Sequence, residues 1–116
     1  NNEIGLPKTL LHLAPKHKAA VIEMGMSHFG EIHRLSCTTQ PTIGVITNIG
    51  FSHIENLGSQ EGILKAKLEI LDGMQPDAPL ILNADDPHLA PLVIFSSLTS
   101  MDTPAAYPAT MPIAVP

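Results

Sequence analysis

Short, continuously apolar runs that alternate with helical segments predict an α/β fold in which a parallel sheet is flanked by helices. The first observation is the character of Ala19–Met24 (AAVIEM), Thr42–Ile49 (TIGVITNI) and Pro79–Asn83 (PLILN). Runs without polar alternation suit strands covered on both faces. The second observation is what separates them. Ser27–Cys37 carries Phe29, Ile32 and Leu35 at helical spacing, and Ser59–Asp72 places Ile63, Leu64, Leu68, Ile70 and Leu71 on one side of a helix. Such an order favours parallel pairing, because the crossover between parallel strands is usually a helix.

In chain order, a short helix is expected at Pro7–Leu13, where Pro7 is tolerable in a first turn that leaves its N–H groups unpaired anyway. Ala19–Met24 is the first expected strand and Ser27–Cys37 the next helix. Thr42–Ile49 is rich in β-branched residues and reads as the second strand. A polar loop, Gly50–Gly58, leads to the Ser59–Asp72 helix. Pro79–Asn83 is the third strand, and Asp85-Asp86-Pro87 can open another helix, with an Asx residue as its cap. Val93–Leu98 could form a strand, but beyond it the composition changes: from Pro91 onward Asp102 is the only charge. We therefore expect a domain over residues 1–92 and a Pro/Ala-rich tail over 93–116, extended, poorly ordered or foreign to the domain. Both ends of the chain have the look of a fragment.

The composition excludes several classes of function. A chain of 116 residues supports one core. Its net charge of −5, without a Lys/Arg run, argues against non-specific binding to nucleic acid or anionic membranes. No apolar run approaches the ~20 residues that span a bilayer, and no signal peptide opens the chain, so a reducing cytoplasm is the expected setting. Cys37 is the only cysteine, which rules out an internal disulfide and a multi-cysteine zinc site; a buried free thiol is expected. His12/His17 and His28/His33 are five residues apart and fall on different helix faces, a poor arrangement for chelation. No G-x-x-x-x-G-K-[ST] pattern is present.

One residue breaks the pattern. Lys67 projects from the apolar stripe of the Ser59–Asp72 helix, whereas Lys65 points to the opposite face with Glu61, Glu69 and Asp72. A buried ammonium is costly, so Lys67 is paired, neutral or chemically altered, or it lies at the edge of the stripe and reaches water. In open α/β sheets ligands bind beyond the carboxyl ends of the strands. Glu23 ends the first expected strand, Asn48 ends the second, and His53 follows in the loop. Each has a plain alternative: a solvated carboxylate, a turn cap, a surface imidazole. Together with Lys67 they suit a hard divalent cation such as Mg2+ beside a phosphate-bearing substrate. A desolvated lysine amine can also capture carbon dioxide as a carbamate, an acid-like group on a long arm.

The segments NNEIGLPKTLL, AVIEMGMSHFGEI, GVITNIGFSHIENLGSQEGILKAKLEIL and LILNADDP resemble the central domain of the Mur ligases, over about Asn1–Leu89. The opening NNEIG and the EMGM-x-HFGEI segment are most like the branch that adds D-alanyl-D-alanine to UDP-N-acetylmuramoyl-tripeptide. The resemblance implies an ATP-dependent ligase of peptidoglycan precursor synthesis, cytoplasmic and monomeric, that forms an amide through an acyl phosphate, with ATP and Mg2+ as cofactors. By motif it implies magnesium positions at Glu23 and His53. It also implies a carbamylated lysine at Lys67, which with His53 would serve catalysis, and a substrate-facing loop at Asn1 and Asn2. Asn48 would lie beside the metal. The family's phosphate loop precedes the NNEIG segment, so no ATP-contacting residue is assigned and the chain alone is expected to be inactive. A different Mur ligase, a folylpolyglutamate synthase-like ligase and a non-catalytic α/β binding module are the alternatives.

Overall fold

The computed structural model describes residues 1–93. The expected Val93–Leu98 strand and the 93–116 tail, Val93 excepted, lie outside the described residues. Helix α1 (Gly5–Leu11) is followed by an irregular stretch, helix α2 (Glu31–Thr39) and strand β1 (Gly44–Ile46). Then come the single turn α3 (Ile54–Leu57), helix α4 (Gln60–Leu68) continued by a 3-10 turn (Glu69–Gly73), and strand β2 (Leu80–Leu82). β1 and β2 pair in parallel, with Gly44 opposite Leu80 and Ile46 opposite Leu82. The crossover between them is helical, as parallel pairing requires. The α/β class is therefore the expected one.

Two expected elements need correction. Ala19–Met24 forms no strand. Val21 is 99% exposed, while Ile22 and Met24 pack against a small cluster of Leu6, Ile32 and Leu35. Its apolar side chains are satisfied by helices on one side only, and among the described residues no strand pairs with it. The helix expected from Ser27 starts only at Glu31, because Gly30 adopts a left-handed φ of 83° at its N-cap. Phe29 consequently falls outside the helix and is 46% exposed, with the Lys65 ammonium 5.8 Å from its ring centroid, a cation–π contact.

The main core gathers Ile46, Ile49, Leu57, Ile63, Ala66, Leu80, Leu82 and Leu89. Fully burying each large aliphatic side chain of this set contributes about 1.5–3 kcal/mol. Met26 and Ile70 touch both this core and the Leu6 cluster, which joins α1 and α2 to the sheet. The sheet is covered unevenly: Ile46, Leu80 and Leu82 are buried, but Val45 is 55% exposed, so the expectation of two covered faces is not met among the described residues.

A polar seam locks α2 to the 3-10 turn. The Glu69 carboxylate accepts from the Gly30 N–H (2.8 and 2.9 Å) and the His33 N–H (3.2 Å), placing a negative charge where α2 leaves its N–H groups unpaired. The Ser36 hydroxyl donates to the Ile70 carbonyl and accepts from the Gly73 N–H at 3.2 Å. A Cβ on Gly73 would lie 2.1 Å from the Ser36 carbonyl carbon and 2.2 Å from its oxygen, so only glycine allows this approach. Gly73→Ala should therefore destabilise the chain by about 3 kcal/mol or more in urea unfolding, since backbone cannot move aside cheaply. Gly50→Ala, where a Cβ meets nothing within 4 Å, should stay within about 1 kcal/mol of the parent. Equal losses would refute the seam as a packing constraint.

Candidate functional site

Helix α4 begins at a true cap. The Ser59 hydroxyl accepts from the Gly62 N–H at 3.2 Å, which satisfies one of the first-turn donors. From that start Ile63 and Ala66 become the buried positions, 1% and 0% exposed, and Lys67 follows immediately. Its stem lies partly buried, whereas Lys65 is exposed. The Lys67 amine donates to the Asn48 carbonyl at 2.6 Å and to the Asn48 Oδ1 at 3.4 Å. Partial loss of water lowers the Lys67 pKa from the ordinary lysine value, and the Asp86 charge opposes that shift.

Asn48 is held where Lys67 can reach it because its neighbour is anchored on both sides. The Ile49 N–H donates to Asp86 Oδ2 at 2.7 Å, and the Ile49 carbonyl accepts from Gln60 Nε2 at 3.1 Å. Asp86 Oδ1 accepts from the His88 and Leu89 N–H groups at 2.9 and 3.2 Å. Asp86 thus caps the turn after β2, as an Asx residue there is expected to do, and also ties that turn to the end of β1. These three backbone N–H groups, the Ile49 one foremost, hold its carboxyl below the usual carboxylate range.

A second set of residues borders an open cleft of about 650 Å3, lined by Asn1, Asn2, Glu3, Ser27, Glu31 and His53 among others. Asn2 Oδ1 accepts from the Ile4 and Gly5 N–H groups at 3.1 and 2.9 Å and so starts α1. Glu31 is set by the Ser27 N–H at 2.6 Å and the His28 N–H at 3.2 Å, and the Ser27 contact is the chief reason its carboxyl titrates below the usual range. His53 takes a left-handed φ of 64° at the N-cap of α3. Non-glycine residues seldom adopt that conformation, and it turns up at sites where geometry matters. Glu23 lies beside this group, its Oε2 3.5 Å from the backbone nitrogen of Asn1.

The sequence-derived candidates therefore fall into two groups. Asn1, Asn2 and His53 share the cleft with Glu23 at its Asn1 side, and Lys67 and Asn48 are directly bonded. Among the described residues no three His, Cys, Asp or Glu side chains form a metal cage. Glu23, with 85% of its side chain exposed, and the exposed His53 ring remain open to solvent. The Glu23 carboxylate is an oxygen donor of the kind a hard cation takes alongside waters and a phosphate. Sequence reasoning missed the role of Asp86, whose decisive partner lies 37 residues away; an aspartate buried just after an apolar strand was the available signal. It also misplaced Cys37, which is exposed because α2 buries Ile32, Leu35 and Ser36 instead.

A pH dependence follows from Asp86. Its folded-state pKa is depressed, so its contribution to stability is present above the ordinary carboxylate value near 4 and is lost in the acid window below it, as pH falls through the folded value. The melting temperature of the parent should fall over that window. Asp86→Asn should lower it at neutral pH and flatten its acid dependence; an unchanged acid limb would mean that other carboxylates govern it.

Comparison with known proteins places this geometry in a family. The profile described as "Mur ligase middle domain" matches residues 1–102. The UDP-N-acetylmuramoyl-tripeptide–D-alanyl-D-alanine ligase of Bacillus subtilis is 53% identical over 89 residues, 77% of this chain and 20% of the relative. The Escherichia coli protein of the same name is 43% identical over 86 residues, 74% of this chain and 19% of the relative. A crystal structure of MurF from Acinetobacter baumannii superposes with a TM-score of 0.73 at 38% identity, covering 79% of this chain and 20% of that one. MurF ligase from Thermotoga maritima in complex with ADP gives 0.63 at 30% identity, covering 82% and 22%. The chain spans about one fifth of the length of these relatives, and within that span it belongs to the Mur ligase family as a segment of the middle domain.

Proposed function

We propose that this segment forms part of the ATP- and muropeptide-binding centre of a complete ligase that joins D-alanyl-D-alanine to UDP-N-acetylmuramoyl-tripeptide, with ATP and Mg2+, in the cytoplasm and as a monomer. The observation that carries the reading is the half-buried Lys67 amine held on Asn48, in a chain whose relatives at 53% and 43% identity bear that ligase's name. The ADP complex of the Thermotoga neighbour supports a nucleotide.

Within that centre Asn1 and Asn2 face the muropeptide across the cleft. Glu23 and His53 would hold Mg2+, which when bound offsets negative charge on phosphoryl oxygens. Lys67 supports the metal side of the centre, either as the carbamate or as the ammonium that now donates to Asn48. Its neighbours keep the arm fixed, so little reorganisation is needed when charge develops. Lys65, on the outer face against Phe29, has no part in it.

The test is a graft: this segment replaces the matching 89 residues of the Bacillus subtilis relative, and ATP-dependent amide formation is followed by product mass. Lys67→Ala should lower kcat about 100-fold or more, and Lys65→Ala should change it less than about 2-fold. Removing Mg2+ with a chelator should abolish turnover. Equal losses in the two lysine variants would defeat the assignment of Lys67, and a graft that turned over without added divalent cation would defeat the metal reading.

A further inference from the structure

We propose that Asp86 is a positioning residue for Lys67, acting through the Asn48–Ile49 corner rather than serving only as a turn cap. The inference rests on the function proposed above. Its two carboxylate oxygens have separate tasks. Oδ1 takes the His88 and Leu89 N–H groups, at 2.9 and 3.2 Å, and this alone suffices to cap the turn. Oδ2 is left for the Ile49 N–H at 2.7 Å, across 37 residues of sequence. That bond is not needed by the turn; it fixes the peptide that joins Asn48 to Ile49. The same peptide presents the Asn48 carbonyl, which accepts from the Lys67 amine at 2.6 Å.

The corner has little freedom once these contacts form. Gln60, the first residue of α4, donates to the Ile49 carbonyl at 3.1 Å, so the helix carrying Lys67 is tied to the same corner at its other end. Ile49 and Leu89 are 4% and 0% exposed and belong to one core, which keeps the Asp86–Ile49 bond away from competing water. A charged acceptor in such surroundings makes a shorter and stronger hydrogen bond than a neutral one. Asparagine cannot replace it. An amide has one oxygen, so its NH2 would face either the Ile49 N–H or the turn N–H groups, and the corner or the cap would be released.

Positioning and bulk stability are separated by a double-mutant cycle in the grafted ligase. Asp86→Asn should lower kcat about 10-fold while KM for ATP moves less than about 2-fold. In a Lys67→Ala background the same substitution should lower kcat less than about 2-fold further, because the arm it positions is gone. Melting temperatures are recorded for all four proteins, and kcat is read where each is folded. If Asp86→Asn does not fold, Asp86→Glu, which keeps the charge but displaces it by one methylene, carries the same cycle with the same coupled loss expected. Equal fold-losses in the two backgrounds, with Lys67→Ala itself crippled, would overturn the positioning role and leave the proposed function intact. A Lys67→Ala variant with undiminished kcat would instead overturn that function, and this inference with it.

Discussion

The bond between the buried Asp86 carboxylate and the Ile49 N–H is the constraint on which the rest of this structure turns. A two-stranded parallel sheet has few ladder bonds of its own, and each strand here is three residues long. Strand pairing of that extent is marginal without support. Asp86 extends it beyond the strand ends: it ties the turn after β2 to the residue just past β1, inside the core that Ile49 and Leu89 help to form. The cost of burying a carboxylate is offset by three backbone N–H groups and by the nearby Lys67 charge. Remove the carboxylate and those donors lose their partner inside a mostly apolar region, where an unmade hydrogen bond costs more than a made one contributes.

The same logic of carboxylates meeting backbone donors recurs across the molecule. Glu69 caps α2 from the 3-10 turn, and Glu31 gathers the N–H groups of Ser27 and His28. Acidic groups thereby shape loops and helix starts in a chain with only six Lys and Arg. Several of these loops border the cleft, and His53 sits there in a left-handed conformation that few non-glycine residues adopt. A site assembled this way is held by backbone geometry, while the groups able to meet a ligand, such as Glu23 and the His53 ring, stay open to solvent.

Much of the local architecture was legible in the residues. The Ser59–Asp72 helix was readable from its apolar phase, which also separated Lys67 from Lys65, and the parallel pairing of the second and third apolar runs followed from the helix between them. The first run was not legible. AAVIEM has strand-like composition, but a strand is a pairing, and pairing depends on a neighbour that composition does not contain. The exposure of Cys37 was misread for a related reason: a nine-residue helix buries one stripe, and which stripe depends on where Gly30 lets the helix begin. Asp86 showed its cap in sequence, but its bond to Ile49 did not, since nothing local encodes a partner 37 residues distant.

By itself, then, the sequence determined those features that arise within a turn or two of chain: helical phase, the Asx cap after the last apolar run, the apolar runs and the motifs shared with the Mur ligases. The tertiary structure alone decided which candidates meet. It joined Lys67 to Asn48, set Asn1, Asn2 and His53 around one cleft, and gave Ala19–Met24 no strand partner among the described residues. Side-chain periodicity is a property of the local backbone, whereas a hydrogen bond across dozens of residues exists only after the core has brought its two ends together.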